Sequence, residues 1–315
     1  KYPGKKHHIE ALFVNIAPEN AKKLAADLED QAFGTYLMDK VERVKAWDFV
    51  RGATGSNSAK RLSVDILECV SEHLDDANFM TIIGNGNIQS GKNAFGELIN
   101  KYAGKCQACT GGNPSQYLPD NPQDYIDKVV KLTKRYSDKN GVDIFNEAKK
   151  GFTSQEGAWH AMQCIDGLDP STVKRIDANF EGEGLPCEGC RFDVELIPTS
   201  SNPLKLIEYK SYLDASKIPL EQFKNYLNDV TNLNQLNYIF SRSKLDLAGA
   251  KNGIKNFLNN NADDLFKAPA NGGIGLDKMK QLFETGGVTF NNPTQFKAAL
   301  TNNATFRNHA TSFVK

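Results

Sequence analysis

Neither sign of charge is in surplus: 38 Lys and Arg face 38 Asp and Glu. Bulk electrostatics therefore give no general attraction for nucleic acid, and a site for a polyanion has to be a local cleft. There is no run of about 18 apolar residues, which excludes a membrane-spanning helix from the reading. H-E-x-x-H, G-x-S-x-G and His-Asn-His-like clusters are absent, as are internal repeats and long low-complexity tracts. What remains is a chain of 315 residues, 40% hydrophobic, with an ordinary globular composition and enough length for two domains. It begins at Lys1 rather than Met, as expected of a processed form or an excised fragment.

Cysteines are few but patterned. Cys106 and Cys109 form CQAC, and Cys187 and Cys190 form CEGC, about 80 residues further on. Two C-x-x-C pairs can supply the four thiolates of one structural Zn²⁺ site, or they can form disulfides in an oxidising space. CEGC stands directly before a strand-like segment, so either link would fix where that strand begins. Cys69 and Cys164 fall on apolar helix faces and read as core, and His73 reads as a residue of a polar helical surface.

Along the chain, PENAKKLAADLEDQAF, LMDKVERVKAWDFVRG and SAKRLSVDILECVSEHL carry helical apolar spacing. TGGNPSQYLPDNPQD is rich in Gly, Pro and Asn and marks a boundary. The expected organisation is a mainly helical N-terminal region over 1–120, an α/β core over 121–245 and a helical C-terminal extension over 246–315. Within the core, PQDYIDKVVKLTKRYSD, GVDIFNEAKKGF and SQEGAWHAMQCIDGL read as helices. RFDVELIP and LKLIEYKSY read as two strands joined by the turn TSSNP. STVKRIDANFEGEGLP fits strand and loop equally. IPLEQFKNYLNDV is an amphipathic helix, and LNQLNYIFS supplies a further strand.

One stretch imitates a phosphate loop. Gly86 to Lys92 reads G-x-x-x-x-G-K after an apolar run. The next residue is Asn93, where the magnesium ligand of such a loop is a Ser or Thr hydroxyl, and no convincing acidic strand follows. A Gly/Asn turn before a helix is the preferred reading.

The informative stretch is KLIEYKSY, Lys205 to Tyr212. Apolar residues occupy both faces, as in a central strand covered on two sides, yet Glu208 and Lys210 point the same way from one face. Burying an unpaired charge costs several kcal/mol, so such a pair needs a reason. An ion pair at a strand end would supply one. The preceding strand supplies another, because in a hairpin Asp193 can lie across from Glu208. Two carboxylates beside a lysine suit a hard divalent cation and a substrate phosphate.

An Asp on one strand, a turn, and E-x-K on the next resembles the PD-(D/E)xK nuclease superfamily. The resemblance extends over about residues 145–242, in the order helix, strand, strand, helix, strand. It implies a restriction-endonuclease-like mixed sheet flanked by helices. It also implies Mg²⁺ or Mn²⁺ held by Asp193 and Glu208, with Glu156 of SQEGAWHAMQCI as third carboxylate. Lys210 would stabilise charge, and Gln222 and Tyr226 of LEQFKNYL would position the phosphate or the site. Phe192 stands where the name-giving motif has Pro, and TSSNP makes the spacing from Asp193 to Glu208 long. Asp177 and Glu183 compete with Glu156, and Glu195 shares a face with Asp193.

VKAWDFVRGATGSNSAKRLSVDILECV is similar to segments that precede toxin modules in large secreted Bacteroidota-type proteins. That resemblance implies a polymorphic toxin, exported from its producer and acting in a target cell's cytoplasm on nucleic acid, DNA before RNA. An immunity protein would be its partner. The alternative is a nuclease-like module that has lost catalysis and binds nucleic acid or protein.

Overall fold

The computed structural model describes residues 4–13, 18–29, 31–54, 64–105, 117–119, 122–149, 152–181, 185, 187, 189–285 and 287–315. The class is α/β, helices with a four-stranded mixed sheet. The chain divides into two compact units, Lys1–Met162 and Gln163–Lys315. Among the described residues, no helix is long and apolar enough to cross a membrane.

Among the described residues of the first unit, the regular structure is helical. Its helices are α1 (Lys6–Phe13), α2 (Pro18–Glu29), α3 (Gln31–Asp39), α4 (Val41–Thr54), α5 (Val64–His73), α6 (Ala77–Ile83), α7 (Ile88–Lys105), α8 (Pro122–Tyr136) and α9 (Lys139–Ala148), with most of α10 (Phe152–Ile165). In α8, Tyr125, Ile126, Val129, Val130 and Leu132 are buried at helical spacing, which gives the helix its inner face. Phe79 meets Phe95 and Phe145 edge-on, with ring centroids 5.6 and 6.0 Å apart. The apolar run before the phosphate-loop-like sequence is helix α6, started by the Asp76 side chain accepting from the Phe79 amide. A phosphate loop follows a strand, so the motif lacks its context here. Gly91 instead lets two backbones meet, because a Cβ there would lie 1.9 Å from the Met80 carbonyl oxygen.

The sheet belongs to the second unit. Strands β1 (Val173–Asn179), β2 (Arg191–Leu196), β3 (Leu206–Lys210) and β4 (Leu236–Phe240) lie in the order β1-β2-β3-β4. The first two pairings are antiparallel and β3 to β4 is parallel, so that connection needs a crossover, which α11 (Leu220–Asp229) provides. Every residue of β3 is buried. Phe223, Tyr226, Leu227 and Val230, spaced along one face of α11 and just past its end, pack into the core with Leu206, Tyr238 and Phe257. The helices α12 (Leu247–Leu265), α13 (Leu276–Phe283), α14 (Pro293–Asn302) and α15 (Ala304–Ala310) complete the unit. The last residues return to the sheet, where the Tyr238 amide donates to the Phe313 carbonyl at 2.8 Å.

Candidate functional site

The register of β2 and β3 sets Val194 against Ile207 and Glu195 against Leu206. Carried one position further, it sets Asp193 across from Glu208. There the Tyr209 amide donates to Asp193 Oδ2 at 2.6 Å, so a side chain receives a bond of the kind that backbone carbonyls receive in a ladder. Asp193 stands where the two strands stop pairing through backbone alone. Both carboxylates are thereby fixed at one level of the sheet.

Glu208 is 1% exposed, and both its oxygens have donors. Lys210, two residues along the same strand face, places Nζ on Oε1. The Tyr226 hydroxyl donates to Oε2 from α11. One turn earlier on α11, Gln222 Oε1 accepts from Lys210 Nζ at 3.2 Å, while Gln222 Nε2 donates to the Arg191 carbonyl at 2.6 Å. Asp193, Glu208, Lys210, Gln222 and Tyr226 are thus brought together, held by two strands and the crossover helix. A buried polar group this well satisfied rigidifies its surroundings.

The electrostatics are uneven. Asp193 keeps a little exposed surface, but its carboxyl is set among protein atoms, and desolvation pushes its pKa well above the usual carboxylate range. Glu208 and Asp177 push the same way, against Lys210 and the Tyr209 amide. Desolvation pulls the Lys210 ammonium down, but Glu208 and Asp193 outweigh it and the net pKa is raised, so it stays charged. Burial, then Glu208, raises the Tyr226 hydroxyl, which therefore remains a donor. Two carboxylates share this enclosure with one ammonium. Once Asp193 gives up its proton, the excess of negative charge, presented by hard oxygen donors, fits Mg²⁺ or Mn²⁺.

Two further residues join the cluster. In β1, Ile176 faces Val194 and Ala178 faces Phe192, which sets Asp177 across from Asp193. Asp177 is buried and ion-paired with Arg191, whose side chain is half exposed. Asp177 was among the competing carboxylates of the sequence, while Arg191 carried no signal until β1 and β2 were paired. Glu195 is engaged otherwise, by Arg175 at 2.6 Å and Lys174 at 3.2 Å. Glu183 lies outside the described residues.

Glu156 lies on α10 and belongs to the first unit, whereas Asp193, Glu208, Lys210, Gln222 and Tyr226 belong to the second. Cys187 and Cys190 are joined to each other in a disulfide, so in this state they offer no thiolates to Zn²⁺. Cys106 and Cys109 lie outside the described residues. The Cys187 turn is tied to α11 by Asn225, which is fully buried; its Nδ2 donates to the Cys187 carbonyl at 3.0 Å and its Oδ1 accepts from the Cys187 amide at 3.4 Å. Cys187 is therefore anchored to α11, just ahead of the Asp193 strand. The first unit carries a separate open depression of about 490 Å³, lined by Phe49, Lys92, Asn93, Glu97 and Asn100 among others, which includes none of the sheet-borne site residues.

No protein-family model, curated protein or solved structure matches this chain.

Proposed function

We propose that the chain is a metal-dependent nuclease of the PD-(D/E)xK type, built on a restriction-endonuclease-like core. The observation that carries this reading is the junction of Asp193, Glu208 and Lys210 at one level of the sheet, braced by Gln222 and Tyr226 from the crossover helix. Asp193 and Glu208 would hold Mg²⁺ or Mn²⁺, which when bound supplies Lewis-acid charge to the scissile phosphate and to the attacking water.

The chain's own residues do the rest. Tyr226 fixes the Glu208 carboxylate by taking one oxygen. Gln222 fixes the Lys210 ammonium by bridging it to the β2 backbone. Lys210 stabilises the negative charge that grows on the non-bridging phosphate oxygens as water adds and the ester oxygen leaves. Arg191, half exposed at the strand end, offers a further cation to the phosphate backbone.

The toxin setting, with export and an immunity protein as partner, rests on the resemblance of the VKAWDFVRG segment alone. The test of the enzymatic reading is cleavage of plasmid DNA and of total RNA in Mg²⁺, Mn²⁺ or EDTA. Products that require the metal support it. Intact substrate from folded protein in every condition overturns it and leaves a binding module.

A further inference from the structure

We infer that Cys69, His73 and Asp127 form a second metal site, in the first unit, for a Zn²⁺-class ion. Cys69 and His73 are four residues apart on α5 and stack on one helix face. Asp127 comes from α8, which packs against α5. Asp127 Oδ1 accepts from Cys69 Sγ at 3.2 Å and lies 2.8 Å from His73 Nε2, and the three ligand atoms all lie within 4.8 Å of one another. Around a tetrahedral zinc the same edges measure about 3.4–3.6 Å, from metal–ligand bonds of about 2.0–2.3 Å. Along the two edges that Asp127 shares, the side chains need to open by about half an ångström to admit the ion.

The donor set selects the metal. One sulfur, one imidazole nitrogen and one carboxylate oxygen suit Zn²⁺ or Co²⁺, and the thiol disfavours Mg²⁺ and Ca²⁺. Cys69 is buried, whereas His73 and Asp127 have side chains 19% and 41% exposed, so the cluster opens to solvent on one side. Three protein ligands with a solvent-facing fourth position is the arrangement of an open zinc site. The sequence concealed this site because it placed Cys69 in the core and His73 on a polar surface. Both descriptions hold in part, and only the packing of α8 brings in the third ligand.

The test is titration of the chelator-treated, reduced full chain with Co²⁺. The inference predicts a thiolate-to-cobalt charge-transfer band with the visible bands of tetrahedral cobalt, both abolished by one equivalent of Zn²⁺. Cys69→Ser should remove the charge-transfer band. His73→Gln, at a partly exposed position and so easier on the fold, should weaken Co²⁺ binding at least about 100-fold. Cys106→Ser with Cys109→Ser should leave the bands in place. Zn²⁺ should also raise the Tm of the wild type but not that of His73→Gln. A folded wild type without the bands overturns the inference. So do bands that survive Cys69→Ser or His73→Gln, or that vanish with the Cys106 and Cys109 pair.

Discussion

Tyr226 donates its hydroxyl hydrogen to Glu208 Oε2, the oxygen that Lys210 leaves to it. Helix α11 and strand β3 are therefore joined through the carboxylate proposed to hold the metal. The Tyr226 ring packs edge-on against Phe180 and Tyr238, with centroids 4.9 and 5.4 Å away, so ring and hydroxyl have separable roles.

Tyr226→Phe keeps the ring and removes the donor. A hydrogen bond to a buried charged group is worth about 1.5–3 kcal/mol, and denaturant unfolding should show a loss of that size. Cleavage should fall with it, since Glu208 is then free to turn. Unchanged stability would mean that the hydroxyl does not serve Glu208.

Lys210 separates stability from chemistry. Lys210→Met leaves Glu208 buried without its cation and should cost about 3–5 kcal/mol. Glu208→Gln combined with Lys210→Met removes both charges and should recover much of that loss. Neither variant should cleave, the loss being at least about 100-fold. A double variant that is stable and active would remove the pair from the mechanism.

Asp193 gives the site a pH dependence of definite sign. Burial, then Glu208, raises its pKa in the folded chain well above the usual value. Over the window between the unfolded value of about 3.9 and that raised value, the native state holds the extra proton. Stability therefore falls as pH rises through the window and levels off above it. Thermal unfolding across pH in EDTA should show this fall in the wild type and not in Asp193→Asn. At neutral pH, Mn²⁺ at 100 times its Kd should return about 2.7 kcal/mol to the wild type and nothing to the variant.

Gly91 and Lys92 test the phosphate-loop sequence. A Cβ at Gly91 would meet the Met80 backbone, so Gly91→Ala should destabilise the first unit by about 1–3 kcal/mol or more. Lys92→Ala should change stability little, since this partly exposed lysine lies 4.0 Å from an exposed Asp75. Neither the wild type nor Lys92→Ala should bind ATP by calorimetry.

How much of this was legible follows from how local each signal is. Strand β3 and helix α11 announce themselves by apolar residues on both strand faces and by an amphipathic period. The pairing of β2 with β3 through a turn placed Asp193 near Glu208 on pattern alone. Asp177 and Arg191 were harder, because β1 shifts register between Val173 and Arg175 and Asp177 adopts a positive φ of 45° that no side-chain pattern announces. FMTII is too short for helix and strand periods to differ, and the Asp76 cap was the clue to its being helix. Asp127 meets His73 across 54 residues of sequence, a contact that only the packing of two helices creates.

The most direct measurement is a cleavage time course on plasmid DNA and total RNA. It would compare the wild type with the Glu208→Gln, Lys210→Met double variant at matched fraction folded, in Mg²⁺, Mn²⁺ and EDTA. The account predicts metal-dependent phosphodiester cleavage by the wild type, none in EDTA, and none by the double variant. Equal cleavage by both proteins, or none by the folded wild type in either metal, would contradict it.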